Sequence, residues 1–310
     1  MANAPSWGRC PGMAAPRTHL ASCALLGTLV ARRALRAPTV HPYQLAVTGT
    51  AWAWAPPTAL AATLWAIRTR SRLAALTAGT SWALTASVLA APTRQLPGSG
   101  DPVRIASANL LNRNRSPHAA AHAAADLPAD VLVAVEVDDV TADVLAKRLG
   151  PPVATGRNGS SRVHIHTSLH AWPLAPVSVG AWSMPCITLE SGLRVVGVHT
   201  VNPSATSALG TWRDQLAALG EVAGPVVLAG DFNTSVAHPE WDLVRGVDAA
   251  TAAGRRWVPT WGPHPAGPRL LGLDHVAARG AHLSDFSRHR IPGSDHDAVA
   301  AVACITHPPR

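Results

Sequence analysis

From residue 101 onward the chain sets out short apolar runs, each closed by a polar residue, and the period of the runs separates strands from helices. Arg104-Ile105-Ala106-Ser107-Ala108 alternates like a strand and stops at Asn109. Val131 to Val135 is an unbroken run that stops at Glu136; Leu193 to Val198, interrupted by Arg194, stops at His199, and Leu270 to Leu273 stops at Asp274. Pro225 to Ala229 leads through Gly230 into Asp231, Phe232 and Asn233, while Ser294-Asp295-His296 precedes a last strand over Ala298 to Ile305. Helical patterns cover about 118–126, with Ser116 as N-cap and Pro117 at the first helical position, and about 140–149. Leu209, Trp212, Leu216 and Leu219 follow helical spacing, which predicts an amphipathic helix lying on a sheet. Strands interleaved with helices in this way predict an α/β fold.

The first hundred residues read differently. A Pro/Gly-rich basic tail over 1–18 is expected to be disordered, and three apolar stretches follow, roughly His19 to Val30, Leu45 to Ile67 and Leu73 to Ala91. The last two have about the length of a membrane span, with Trp52, Trp54 and Trp65 as interfacial anchors. The first is short for a span and suits a signal-peptide hydrophobic region equally well. Together they predict an α-helical transmembrane region of two to three helices over 19–92, then a Pro/Gly linker over 93–102 and a catalytic domain over 103–310.

Charge sharpens this division. Residues 1–100 hold no Asp or Glu; all 18 acidic residues lie beyond them beside 17 of the 26 basic ones, a net of −1 there and +9 before. The overall +8 therefore does not describe a basic catalytic surface for nucleic acid. Arg68, Arg70 and Arg72 fill the short loop between the second and third apolar stretches, and the positive-inside tendency puts that loop in the cytoplasm and the large domain outside it. The expected location is thus the cell membrane, multi-pass, with the lipid bilayer as a partner of the N-terminal helices.

The cysteines at 10, 23, 186 and 304 have no metal-ligand spacing, which excludes a structural zinc. Cys186 and Cys304 are open to either a disulfide or two single thiols. His164 and His166 fall on one face of a strand and are read as an exposed pair rather than a metal site.

Chemistry concentrates at the strand ends. Polar groups there gather at one sheet edge, and Asn109, Glu136, His199, Asp231, Asn233, Asp274, Asp295 and His296 suit phosphate-ester cleavage. A hard divalent cation takes carboxylate oxygens such as Glu136 with Asp295 or Asn109; a water nucleophile needs an acceptor such as Asp231 positioned by Asn233. Developing charge on phosphorus needs donors, which two protonated histidines supply, His296 being backed by Asp274. The plain structural alternatives are an Asx-turn at Asp231, a helix cap at Glu136 and a satisfied core histidine at His199.

Ser107-Ala108-Asn109, Val135-Glu136-Val137, Val198-His199, Gly230-Asp231-Phe232-Asn233, Leu273-Asp274-His275 and Ser294-Asp295-His296, in this order over about 101–305, resemble the endonuclease/exonuclease/phosphatase superfamily, and the helical N-terminus resembles a membrane-anchored bacterial subgroup of it. The resemblance implies a deoxyribonuclease-like four-layer α/β sandwich of two packed mixed sheets flanked by helices. It implies Mg2+, with Mn2+ as a substitute, held chiefly by Glu136 with Asn109 beside it and Asp295 at the metal site. It implies Asp231 orienting or deprotonating water, Asn233 on the phosphate, Asp274 paired with His296, and His199 as phosphate donor or general acid. Val135 stands where many members have Gln, and Thr200 follows His199 where Pro is commoner. The expected function is a membrane-anchored phosphoesterase acting on a phosphodiester or phosphomonoester, its substrate a lipid headgroup or nucleic acid. The alternatives are a nuclease acting outside the cytoplasm and a catalytically silent binding protein of the same fold; no protein partner is implied.

Overall fold

Among the described residues, three helices precede one large mixed sheet that folds over on itself and is flanked by further helices. The computed structural model describes residues 38–306 apart from 71, 90–94, 96, 97, 99 and 160. In chain order the elements are α1 (Pro42–Gly49), α2 (Ala51–Thr69), α3 (Arg72–Leu89), β1 (Val103–Asn109), α4 (Pro117–Ala125), β2 (Val131–Val137), α5 (Asp139–Leu149), β3 (Ala154–Asn158), β4 (Ser161–Thr167), β5 (Ala171–Val179), β6 (Trp182–Leu189) and β7 (Arg194–His199). They continue with α6 (Leu209–Gly220), β8 (Val226–Asp231), β9 (Val247–Asp248), α7 (Ala249–Ala252), β10 (Asp274–Arg279), β11 (Ala281–Arg290) and β12 (Asp297–Ile305).

The strands pair in the order β11-β12-β1-β2-β4-β3-β6-β7-β8-β10-β9, with β5 added on β6. One residue pair, Arg157 with Ser183, joins β3 to β6 and is the seam between two half-sheets. The expected pair of sheets is therefore one hydrogen-bonded surface doubled back. Ile105, Val133, Val163, Ile187, Val195, Val227, Val276 and Val299, drawn from both halves, fill the space between them. The outer face of the first half carries Ala120, Ala121 and Ala124 of α4 and Leu145 of α5; small alanines let α4 approach the strands closely. The outer face of the second carries Trp212, Leu216 and Leu219 of α6. These three are fully buried, and each leucine contributes about 1.5–3 kcal/mol of transfer free energy.

Local chemistry sets the helix ends. Asp138 caps α5, its Oδ1 accepting from Thr141 N at 2.8 Å while Thr141 Oγ1 accepts from Asp138 N at 3.0 Å. Pro117 does open α4, but Ser116 makes no side-chain cap; its own N–H is donated to Asn114 Oδ1.

Several expectations change. The second and third apolar stretches are helical, as α2 and α3, yet among the described residues no helix is long and apolar enough to cross a membrane. The reason is composition: α2 carries Pro56 and Pro57, and hydroxyl residues dilute both helices. The tail over 1–18, the stretch His19 to Val30 and half of the linker lie outside the described residues. His164 and His166 are buried rather than exposed, and burial lowers both pKa values, His164 to about 4. Cys186 and Cys304 are free thiols. Leu270 to Leu273 is not a strand; β10 starts at Asp274 and runs away from it.

Candidate active site

Topology brings the polar strand ends together. β1 and β2 are parallel, as are β7 and β8, so Asn109, Glu136, His199 and Asp231 reach the same edge, with His199 directly beside Asp231. β10 runs antiparallel to β8 and begins there, placing Asp274 opposite Asp231. β12 runs antiparallel to β1, so Asp295 and His296, just before it, return to that edge.

Two backbone features aim the carboxylates. Glu136 has φ +57° at an irregularity in the β2–β4 pairing, a conformation that non-glycine residues hold only where the surroundings enforce it. Its Oε2 accepts from Asn112 N at 2.8 Å and its Oε1 from Asn109 Nδ2 at 3.1 Å. Asp231 follows Gly230, which has φ +151° and lies so close to β7 that a Cβ would sit 1.9 Å from Val198 O. Asp231 Oδ1 accepts from Asn233 N at 2.8 Å, which is an Asx-turn, and the second oxygen is left for the site. The Asx-turn at Asp231 is thus present and occupies one oxygen only, the other facing the site.

Asp231 Oδ2 accepts from Asn109 Nδ2 at 3.1 Å and lies 3.7 Å from His296 Nε2. His296 Nδ1 bonds Asp274 Oδ2 at 2.8 Å, and Thr260 Oγ1 donates to the same oxygen at 2.6 Å. His199 Nε2 lies 3.7 Å from Glu136 Oε1. Asp295 Oδ2 accepts from the Trp261 indole at 3.0 Å. Asn109 has its nitrogen between two carboxylates and its oxygen on Leu111 N, an orientation the charges dictate because an amide oxygen there would be repelled. It bridges the acids and does not face them with the oxygen a cation would need. Asn233 Nδ2 is likewise turned to Thr200 O at 3.0 Å.

The electrostatics separate the two histidines. For His296, burial alone would lower the pKa, but Asp274 and Asp231 outweigh it and carry it to about 10, so the ring is an imidazolium at neutral pH. Burial pushes His199 down to about 4, against the pull of Glu136 and with help from the His296 charge, so it is neutral and donates through one N–H only. The expectation of two protonated histidines is corrected to one. Burial raises Asp231 to about 7, partly offset by His296 and reinforced by Asp274. Glu136 is lowered: burial opposes ionisation, but His199, the Asn112 N–H and Asn109 prevail.

Glu136, His199 and Asp231 each turn one ligand atom within 4.8 Å of the others and fit a divalent cation. Asp231, Asp274 and His296 lie equally close, but the His296 imidazolium has no lone pair to offer a metal. Asp274 Oδ1 and Asp295 Oδ1 are buried oxygens with no hydrogen-bond partner among the described residues. Asp295 belongs to neither of the two groups. Thr260, Trp261 and the Asn112 N–H were not legible as site residues; nothing in spacing marks a threonine fourteen positions before the aspartate it holds.

Residues 106–296 match the Endonuclease/Exonuclease/phosphatase family, and the chain belongs to it. Among solved structures, the fold is similar to an endonuclease/exonuclease/phosphatase of Bacteroides vulgatus, at 14% identity over 66% of this chain and 99% of that one, with a TM-score of 0.52. It is similar to truncated TDP2 of Caenorhabditis elegans, at 17% identity over 66% and 97%, TM-score 0.50. A conserved protein of unknown function from Enterococcus faecalis matches at 14% identity over 65% and 99%, TM-score 0.50. No individually curated protein matches the sequence.

Proposed function

We propose that the protein is a divalent-metal-dependent phosphoesterase that cleaves a phosphodiester or phosphomonoester by attack of an activated water. The observation that carries this reading is the unbroken run of side chains Glu136, Asn109, Asp231, His296, Asp274 and Thr260 across the mouth of both half-sheets. Glu136 would hold Mg2+ or Mn2+, with the free oxygen of Asp295 at the rim; the cation supplies neutralisation of phosphate charge. Asp231, poised near neutrality, accepts the proton of the attacking water. His296, charged and fixed by Asp274, donates to a phosphoryl oxygen, and neutral His199 steadies Glu136 or donates a single hydrogen bond.

The experiment is hydrolysis of bis(p-nitrophenyl) phosphate, DNA and sphingomyelin by the full chain with Mg2+, Mn2+ or EDTA across pH. The expected profile of kcat/KM rises as Asp231 ionises, at or below about 7 because a cation at Glu136 favours the carboxylate, and falls as His296 loses its proton near about 10. Folded protein with no metal-dependent turnover on any of the three would turn the reading toward a silent binding protein. Duplex DNA is the less favoured substrate: of the nearby arginines, Arg162 is already engaged by Asp139 at 2.6 Å.

A membrane-surface location belongs to the same proposal. In α2 and α3 the small and hydroxyl residues Ala55, Ala59, Ala74, Thr77, Ala78, Ser81 and Thr85 are buried, while Leu60, Leu64, Ile67, Leu76 and Trp82 face outward. That inversion suits helices in an apolar medium, and Thr58, Thr63, Thr77 and Thr85 satisfy their hydroxyls on the carbonyl four residues back. Arg68, Arg70 and Arg72 at the turn complement anionic headgroups. Full-length protein is expected to co-sediment with phosphatidylglycerol vesicles; equal recovery in the supernatant with and without vesicles would remove the membrane from the proposal.

A further inference from the structure

The helices α1 and α2 lie outside the segment that matches the family, yet they are bonded to the two loops that support the candidate active site. The first turn of α2 sits on the 257–273 segment: Ala51 and Ala55 pack with Trp257, and the Trp52 indole donates to Leu270 O at 3.0 Å. Leu270 N and Leu271 N both donate to Trp261 O, and Leu271 O accepts from Thr260 N and Trp261 N, at 2.6–3.0 Å. Thr260 and Trp261 are the residues that hold Asp274 and Asp295. From α1, Leu45 O accepts from His238 Nε2 at 2.9 Å, and His238 Nδ1 accepts from Ser235 N and Thr234 Oγ1, in the loop that leaves Asp231. Both ring nitrogens are thereby assigned: His238 is a neutral Nε2–H tautomer. Gly49, the last residue of α1, lies against both loops: a Cβ there would fall 2.5 Å from Leu271 Cδ2 and 3.2 Å from His238 Nε2, so the seat is close-fitting on both at once.

We propose that Trp52 is a positioning residue for the reaction, and that the seat of α1 and α2 on the 234–238 and 257–273 segments sets how firmly Asp274 and His296 are held. A carbonyl that loses its donor at Leu270 frees the Thr260–Leu271 bridge to shift, and Thr260 then holds Asp274 less tightly. A carboxylate displaced by a fraction of an ångström orients His296 poorly, which acts on the chemical step and not on substrate capture. This inference takes its kinetic consequence from the phosphoesterase reading; its structural consequence stands without it.

The test is Trp52→Phe in the full chain, which keeps the ring packing and removes the N–H, beside Trp82→Phe, whose indole bonds Thr63 within the hairpin and touches no catalytic loop. Hydrogen exchange of the amides at 260, 261, 270 and 271 is expected to speed up roughly tenfold in Trp52→Phe, with the β1–β12 ladder unchanged. The kcat on bis(p-nitrophenyl) phosphate is expected to fall roughly fivefold to tenfold, with KM within about twofold. In a double-mutant cycle the kcat losses of Trp52→Phe and Thr260→Val are expected to be less than multiplicative, because both act through one contact. Trp82→Phe leaves exchange and kcat at wild-type values. Unchanged exchange in Trp52→Phe, or an equal fall in Trp82→Phe, would overturn the inference. Wild-type protein that turns over nothing would sink the phosphoesterase reading, and the exchange comparison would then decide this one by itself.

Discussion

Asp231→Asn is expected to lower kcat on bis(p-nitrophenyl) phosphate by about 10²–10⁴-fold, with the thermal midpoint close to wild type. The substitution is isosteric, and the Oδ1 that caps the turn by accepting from Asn233 N is retained. The oxygen facing the site becomes an NH2 group, which takes no proton from water and confronts two donors, Asn109 Nδ2 and His296 Nε2. His296 also loses one of the two carboxylates that raise its pKa, so the alkaline limb of any residual activity moves to lower pH. Stopped assays at saturating metal, with a melt of the same preparation, make the comparison. A loss below tenfold would remove Asp231 from the role of base.

Gly230→Ala is expected to cost about 3 kcal/mol or more, a large part of the stability of an ordinary domain. Two penalties coincide at this position. A φ of +151° is a backbone region that side chains rarely adopt, worth roughly 1–3 kcal/mol, and the added methyl would lie 1.9 Å from Val198 O. The overlap has no easy relief, because Val198 and Gly230 are direct partners in the parallel β7–β8 ladder and both strands are buried. Urea midpoints of the purified variant against wild type give the answer; a difference under about 0.5 kcal/mol would show that the two strands separate here at little cost. The close approach also explains why this turn needs a glycine immediately before Asp231.

Much of the site was legible because strands end where water begins, and a polar residue after a buried run is conspicuous. Asn109, Glu136, His199 and Asp231 were found that way, and the parallel pairing of their strands brought them to one edge. The 270–274 region was misread for a related reason. Leu270 to Leu273 is as apolar as a strand, but its backbone serves the bridge to Thr260 and Trp261, and the pairing starts only at Asp274. Strands β3, β5, β6, β9 and β11 were not read from the sequence; of these, β5 is an exposed edge with Pro173 and Pro176, and β11 is studded with charged and polar residues, so neither shows a buried run. His164 and His166 looked polar and hence exposed, whereas both are buried, His166 with its Nδ1 on Gly150 O at the end of α5, and burial lowers both pKa values. The protonation states of His199 and His296 depend on which carboxylate each one faces, and no reading of spacing distinguishes them.

The order of strands in the doubled sheet has a consequence for the nascent chain. The second half-sheet, β6 to β10, is one continuous stretch, whereas the first half takes β1 to β4 from the start of the domain and β11 and β12 from its end. β1 therefore waits on the ribosome without its antiparallel neighbour until Val299 to Ala303 have been made, and His296 arrives with the same segment. Every strand from β1 to β11 therefore precedes the segment that brings the imidazolium to Asp231 and Asp274. A site divided between both ends of the domain in this way comes together only when the closing strand of its own fold is in place.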